Sequence, residues 1–498
     1  MKSDKWAIKT IGELISEGVI LVHKDGNHGA KYPRANEFLD RGVPFLTAKL
    51  LDDSGNIDFK SAPKLSENKA NTFSFGFIET GDVLLSHNAT IGRVAVVPDI
   101  HERMLIGTSL THFRLNQSKL LPKYLASYFS STGFQNQLAS VMSQTTRNQV
   151  PITSQRNLSV VIPPIEEQER ISHFLNSFDQ NIENNRQTNQ TLEAIAQTLF
   201  KSWFVDFDPV KAKLSVLAAG GSAEEAERAA MCAISARDEA SLNTLQTEQP
   251  EAYAELARTA ALFPSAMQDS ELGEIPEGWE LSEIGKEVSI LGGGTPSTKQ
   301  PEFWDNGDIC WTTPKDLSNA TDKVILGTER KITKEGLNKI SSGILPINTV
   351  LLSSRAPVGY LALTKVPLAI NQGYIAMRCE QNLPPEYVLL WASSVMDEIK
   401  QRASGTTFAE ISKKNFKPIK VIVPAKKLLD DFAQRASKIY DQIANQVSEN
   451  SSLTRVRDTL LPKLLSGELT LSDTTPLKAN LPESDMLNAG SVPAEVVL

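Results

Sequence analysis

Two stretches of the chain space their apolar residues in the same way. Ile171, Leu175, Phe178, Ile182, Leu192, Ala196, Leu199 and Trp203 alternate steps of four and three, with Asn185 and Asn189 in the two central places. Displaced by 261 positions, Phe432, Ala436, Ile439, Ile443, Leu453, Leu460 and Leu464 repeat the ladder, with Gln446, Asn450 and Arg457 at its polar places. A mean step near 3.5 residues is a heptad seam, so both stretches are predicted to be long helices that pack through this face. Pro163-Pro164 and Pro424 precede them, Glu166-Glu167 suit the positive end of the first helix dipole, and Ser466-Gly467 supplies a stop. The 33 residues from Ile171 to Trp203 span about 50 Å at roughly 1.5 Å per residue. If the helices pair antiparallel in register, Asn185 meets the layer of Asn450 and Asn189 that of Gln446. Polar layers then face each other at the centre, which fixes register at some cost in stability. A parallel pairing would also match the polar layers, but it would bring both flanking domains to one end; a long solvent-facing helix would not need the unbroken spacing at all.

The flanking blocks mix both periods. Short apolar runs such as Val94–Val97, Thr349–Leu352 and Val421–Val423 end at Pro, Gly or Ser and predict strands. Leu121–Leu138 and Glu386–Ile399 space apolar residues helically. The blocks also resemble each other. Trp6 with Ile11-Gly12 pairs with Trp279 and Ile284-Gly285, and Gly42-Val-Pro-Phe-Leu-Thr47 with Gly307-Asp-Ile-Cys-Trp-Thr312. Asp82–Ser86 pairs with Thr349–Ser353, Ala89–Gly92 with Ala356–Gly359, Thr145-Thr146 with Thr406-Thr407, and Val160–Pro163 with Val421–Pro424. This many matches in one order is a duplication, far too long in period for a solenoid. The expected fold is α+β: two related α+β domains, 1–163 and 276–424, separated by antiparallel coiled-coil helices, 164–205 and 425–467, and related by an approximate two-fold axis. An acidic helical connector over 206–275, with two helical stretches, and a flexible tail over 468–498 complete the scheme.

The net charge of −8 at first argues against a nucleic-acid partner, but it is an average. Residues 1–163 sum to +4, 164–275 to −11, 276–424 to +1 and 425–498 to −2. The acidity thus belongs to the middle segment, a docking surface for a partner or a solvated insert, and the repeated blocks are near-neutral to basic. Even so, +5 over the two blocks is modest for a duplex-binding surface, so the chain alone is expected to hold DNA weakly. Cys232, Cys310 and Cys379 are too few and too scattered for a disulfide framework and fit a reducing compartment. With no apolar run of membrane length and no signal peptide in Met1–Trp6, no membrane contact is expected and the expected location is cytoplasmic.

No catalytic constellation can be assembled. Gly292-Gly293-Gly294-Thr295-Pro296 lacks the Lys-Ser/Thr of a phosphate loop and reads as a turn. His23, His28, His87, His101 and His112 lack ligand spacing, and Asp206 with Asp208 has no further ligands nearby, so no metal site is expected. No Gly-x-Ser-x-Gly elbow, base-methylase Asn/Asp-Pro-Pro-aromatic or nuclease carboxylate–Lys cluster is present.

The duplicated domains, each followed by a ladder helix, occur together with several specific phrases. These are Ile162-Pro-Pro-Ile-Glu-Glu-Gln-Glu169, Trp203-Phe-Val-Asp-Phe-Asp-Pro209, Gly273-Glu-Ile-Pro-Glu-Gly-Trp279 and Leu460-Leu-Pro-Lys-Leu-Leu-Ser-Gly467. Gly292-Gly-Gly-Thr-Pro-Ser297 is followed by Trp304 and Gly307–Leu317. Over essentially its full length the chain resembles the specificity subunits of type I restriction–modification systems. The first copy departs from the Gly-Gly-Thr-Pro-Ser phrase, with Asp25–Arg34 in its place; recognition domains of this family diverge between copies to read different half-sites. The resemblance implies a non-catalytic subunit of a DNA adenine methyltransferase/endonuclease complex that binds double-stranded DNA. It implies two methylation subunits and, in the full complex, two restriction subunits as partners. S-adenosylmethionine, ATP and Mg²⁺ would belong to those partners, none to this chain. Each domain would read half of a bipartite target and the helix pair would set the unread spacer; half-sites one turn apart lie about 34–36 Å from each other, the order of the helical span. The competing reading is a coiled-coil scaffold that never meets DNA.

Arg and Lys suit guanine edges and phosphates, and Asn and Gln suit adenine. Glycine-containing loops with such side chains are the expected readers: Asn27, His28, Lys31, Arg34 and Lys49 in the first copy, Thr298, Lys299 and Lys315 in the second. Arg93 and Arg355 lie in or beside the paired Ala-x-x-Gly loops, and Thr146, Arg147 and Asn148 match the region of Thr406, Thr407, Lys413 and Lys414.

Overall fold

The computed structural model describes residues 6–26, 28–88, 90–142, 149–318, 320–405 and 409–471. The ladders form two long helices, Ile165–Phe204 and Lys426–Ser466. Glu166 and Glu167 occupy the first turn of one, and Gly467, at φ +73°, follows the last residue of the other. The described residues divide into two compact units, 6–183 with 451–471 and 184–450, so each unit contains one copy and one part of each long helix.

In the first unit, Ile171 and Leu175 share a buried core with Leu461, Leu464 and Leu465 and with Tyr124, Leu125 and Val160 of the globular part. In the second, Leu192, Ala196, Phe200 and Trp203 share one with Phe432, Ala436, Ile439 and Ile443, and with Tyr387, Trp391 and Val421. The start of one helix thus packs on the end of the other, and the reverse, which makes the pair antiparallel. Asn185 Nδ2 donates to Asn450 Oδ1 at 2.9 Å and to Glu449 Oε2 at 3.1 Å, so the polar layers meet in the predicted register. Asn189, 1% exposed, and Gln446 lie in the adjoining layer. Phe178, Leu199, Leu453 and Leu460 are only half-buried, because the seam drifts round a helix of 3.6 residues per turn. Arg457 leaves the seam to pair with Asp179 at 2.7 Å.

Each copy is built on the same strand order. In the first, Ile20–Asp25, Leu110–Leu115, Val83–Ser86 and Val94–Val96 lie side by side; in the second, Ser289–Gly292, Tyr374–Arg378, Val350–Ser353 and Leu361–Thr364 do so, with Val324–Ile325 added at the edge. Ala7–Thr10 pairs with Ser159–Ile162 as Glu280–Glu283 pairs with Lys420–Val423, both antiparallel. These closing strands lead directly into the long helices, which ties each ladder to its copy.

The expected continuous helices are broken. Ser131, in extended backbone, separates Pro122–Ser130 from Thr132–Met142, and its hydroxyl donates to the Tyr128 carbonyl at 2.6 Å. The break lets Phe129 and Phe134 stack at 4.3 Å. Val395, at φ −101° and ψ 18°, separates Pro385–Ser394 from Met396–Gln401 more mildly, without turning extended. The connector holds four helices rather than two stretches, Asp208–Ala218, Ala223–Ser235, Glu239–Glu248 and Pro250–Ala260, and then a hairpin of Met267–Ser270 with Gly273–Pro276. Ser222 and Asp238 cap two of these helices with side chains that look, by sequence alone, like linker polarity.

Candidate nucleic-acid interface

In both copies a parallel strand pair ends at a cluster of loops. Val43–Leu46 pairs with Met104–Ile106, Leu46 opposite Ile106; Ile309–Thr312 pairs with Ala369–Ile370, Thr312 opposite Ile370. Aligning these registers puts Lys49 and Lys315 at the same place, exposed on the short helices Ala48–Leu50 and Pro314–Ser318 that follow the first strand. A glycine closes the cluster in each copy. A Cβ on Gly26 would fall 2.3 Å from the Ile106 carbonyl oxygen, and one on Gly293 1.9 Å from that of Ile370. No side chain fits either space, which explains the central glycine of the Gly-rich phrase and its lone counterpart in the first copy.

The backbone frame recurs as well. His87 N–H donates to the Ser109 carbonyl at 3.0 Å and Val150 N–H to the His87 carbonyl at 2.8 Å. Ser354 N–H donates to Gly373 at 2.8 Å and Ile411 N–H to Ser354 at 3.0 Å. Asn88 faces Gln149 as Arg355 faces Glu410, so the counterpart of Arg355 is Asn88 and not Arg93.

In the second copy the Gly-rich loop is held open. Trp311 Nε1 donates to Gly294 at 3.1 Å, Trp304 Nε1 to Ser297 at 3.0 Å, and Thr295 Oγ1 to Gln372 at 2.6 Å. Thr298 and Lys299 are exposed on this loop. Lys413 lies alongside, its Nζ 3.1 Å from where a Gly292 Cβ would be, with Lys414 exposed on the same turn. Arg355 makes only a loose pair with Glu410, at 4.0 Å. These side chains are brought to one loop cluster.

The first copy uses its candidates differently. Lys31 Nζ donates to the Thr72 carbonyl at 2.9 Å, while Arg34 and Lys49 remain exposed. Arg93 is already satisfied, with Nε 2.8 Å from Asp53 and Nη1 2.7 Å from the Leu51 carbonyl. His28 is not on the surface at all. Its ring packs 4.3 Å from Phe73 and 5.1 Å from Phe75, Nε2 meets the Ile106 carbonyl at 3.1 Å, and burial lowers its pKa. The aromatic residues that enclose it lie far off in sequence, so a His in a Gly-containing basic loop looked like a reader. Asn27, Thr146, Arg147, Asn148, Thr406 and Thr407 lie outside the described residues.

Electrostatics divide the copies further. Beneath the first, buried Asp82 accepts from His112 Nδ1 at 3.1 Å and from Arg114 Nε and Nη2 at 2.9 Å each. Burial alone would raise the Asp82 pKa, but these donors outweigh it and hold it below the usual range. Burial pushes His23 and His87 down to about 4, so both are neutral core rings. In the second copy Thr349 stands where Asp82 does, its hydroxyl donating to the Pro346 carbonyl at 2.8 Å. One cation of this copy escaped notice by sequence: Arg330, exposed, with its guanidinium carbon 3.7 Å from the Trp304 ring centre. Its strand register opposite Trp311 was the available signal.

Among the described residues no group of three His, Cys, Asp or Glu side chains could hold a metal ion, and no helix is long and apolar enough to cross a membrane. The type I restriction modification DNA specificity domain matches residues 4–194 and 276–450. The chain is 35% identical over 404 residues to the type I restriction enzyme HindI specificity subunit of Haemophilus influenzae, covering 79% of this chain and 87% of that one. It is 35% identical over 196 residues to the MjaIX specificity subunit of Methanocaldococcus jannaschii, covering 39% and 45%. A solved type I restriction–modification S subunit from M. genitalium aligns with 93% of this chain and 97% of its own, at 16% identity and a TM-score of 0.47. With the family domain matched over most of its length and a Haemophilus influenzae relative 35% identical over 79% of it, the chain belongs to the specificity subunits of type I restriction–modification systems.

Proposed function

We propose that this specificity subunit reads a bipartite duplex target, one half-site per copy, through the loop clusters beyond the parallel strand pairs. The observation that carries the reading is the equivalence of the two clusters in backbone combined with their difference in side chains. Lys49 and Lys315 coincide, whereas Asn88 occupies in one copy the place that Arg355 has in the other, and the loop 25–34 the place of 292–299. A shared scaffold with shared cations suits the phosphate backbone, which is alike in every sequence; divergent loops suit base edges, which are not. Lys315, Thr298, Lys299, Arg355, Lys413 and Lys414 would act in the second half-site, and Lys31, Arg34 and Lys49 in the first. The antiparallel helix pair would set the unread spacer and offer methylation and restriction subunits their seats. S-adenosylmethionine, ATP and Mg²⁺ would act on those partners, and this chain would be non-catalytic. The modest charge of the copies supports a division of labour in which partners complete the phosphate grip.

Footprinting of the complex assembled with methylation subunits tests the reading. Two protected segments separated by a constant gap are expected, and R355A is expected to weaken protection of one segment. Absence of protection, or one continuous footprint indifferent to sequence, would overturn it in favour of a scaffold.

A further inference from the structure

We propose that Arg330 is a specificity-determining residue of the second copy, presented on an indole platform to read a guanine of its half-site. The inference rests on the DNA-reading role above and adds a residue, a chemistry and a reason for the asymmetry between copies.

Arg330 opens the strand Arg330–Ile332, directly opposite Trp311 in antiparallel register. Its guanidinium lies 3.7 Å from the ring centre of Trp304 and 5.3 Å from that of Trp311. The two indoles meet edge to face, 5.0 Å apart at 86°. Both rings are anchored by their N–H groups to the Gly-rich loop, so the platform and the candidate reading loop are one construction. The side chain is exposed, and among the described residues no carboxylate pairs with it.

The stacking sets the state of this side chain. A surface guanidinium ordinarily swings freely or finds an acid, as Arg93 finds Asp53. Stacking on an indole supplies attraction to the face of the cation while leaving the in-plane N–H donors open. It also reduces the rotamer freedom that would be lost on binding. The open fork matches the O6 and N7 acceptors of guanine in the major groove.

A fork also fits phosphate, and the other copy decides between the two. Val43 faces Leu65 as Ile309 faces Ile332, so Pro63 stands where Arg330 does. Phe45 replaces Trp311, and Tyr32 and Phe38 close over it at 5.7 Å each, leaving no platform at that place; the stacked arginine of this copy, Arg103 over Phe77 at 4.1 Å, stands elsewhere and donates to Asn71 Oδ1 at 2.8 Å. A phosphate contact would be wanted equally by both copies, as at Lys49 and Lys315. A contact present in one copy alone belongs to what differs between half-sites, which is base sequence.

The test uses the complex with methylation subunits and duplexes randomised separately in each half-site. R330A and R330K are expected to lose preference at one guanine of the second half-site, with about 10-fold to 100-fold weaker binding of the preferred duplex. Preferences in the first half-site should not change. R330K separates the planar fork from charge, and W304F, which keeps a ring face, should retain more discrimination than R330A. Equal weakening on every duplex, with the salt dependence reduced by about one unit, would make Arg330 a phosphate contact and overturn the proposal while leaving DNA reading intact. Unaltered binding by R330A would overturn it too. A wild-type complex without any DNA preference would instead remove the underlying reading.

Discussion

The two copies share a frame and differ in what is buried beneath and displayed above it. Below the loops, the first copy places an ion pair of Asp82 with Arg114, joined by a hydrogen bond from His112, where the second places Thr349. Above them, the first encloses His28 in phenylalanine rings, and the second turns the same strand pair into a platform for Arg330. Strand order, the parallel pair, the obligatory glycine and the lysine after the strand are held in common. After duplication, the backbone geometry that aims the loops stayed fixed, while chemistry in the core and on the surface was free to part.

The largest expected asymmetry is in the core. D82A removes the acceptor of buried His112 and one of the two carboxylates of half-buried Arg114, which keeps Glu79 at 2.6 Å, and should cost about 2–3 kcal/mol. T349V at the equivalent place removes one neutral hydrogen bond and should cost about 1 kcal/mol. Hydrogen exchange resolved by segment reads both, with the loss confined to the mutated copy. Equal losses would show that the ion pair is not what distinguishes the copies.

Acid should separate them next. His23 and His87 titrate near 4 when folded and near 6.5 when unfolded, so the unfolded chain binds more protons between those values. Their stabilisation is complete above about pH 6.5 and falls as pH drops toward 4, by up to roughly 1.4 kcal/mol per unit for each. Asp82, held below its usual range, adds a loss in the same direction at still lower pH. The second copy has no histidine, and its buried Glu386, raised by burial, prefers its proton and gains from the same change. Exchange protection at pH 5 should therefore fall in the first copy and hold in the second; a uniform response would contradict the assignment.

Smaller effects probe what is shared. K49A and K315A should each weaken DNA binding by the assembled complex alike on all sequences and reduce the salt slope by about one unit. A sequence-dependent loss from either would move that lysine from phosphate to base. The least effect on stability is expected from N189L, which replaces an amide 1% exposed and without a hydrogen-bond partner. It should be neutral or stabilising, with register left to the Asn185–Asn450 bond. A loss above about 2 kcal/mol would mean that Asn189 holds the register itself.

The helix pair was legible because a heptad seam is a local, periodic signal: 164–205 and 425–467 were expected, and Ile165–Phe204 and Lys426–Ser466 form. The polar layers narrowed the register without choosing between parallel and antiparallel, and the Asn185–Asn450 bond with the two shared cores decides for antiparallel. The copies were legible from repeated phrases, one glycine pair of which marks close backbone approach: a Cβ on Gly42 would fall 2.1 Å from the Leu65 carbonyl oxygen and one on Gly307 2.5 Å from the Ile332 carbonyl carbon. What escaped depends on contacts between distant segments. His28 is buried by Phe73 and Phe75, Arg93 is neutralised by Asp53, and Arg330 acquires its platform from Trp304, 26 residues earlier. Composition cannot tell a lysine or arginine awaiting a ligand from one that already has a partner. The breaks at Ser131 and Val395 were hidden for another reason: apolar spacing continues across them while the backbone does not.

If one frame carries two separate readings of DNA, the copies should be exchangeable. Replacing residues 280–423 with a second copy of 7–162, assembling the chimaera with methylation subunits and sequencing the DNA they methylate should give two occurrences of the first half-site, with the second half-site lost. A target that still contains the original second half-site would show that the copies do not read separately.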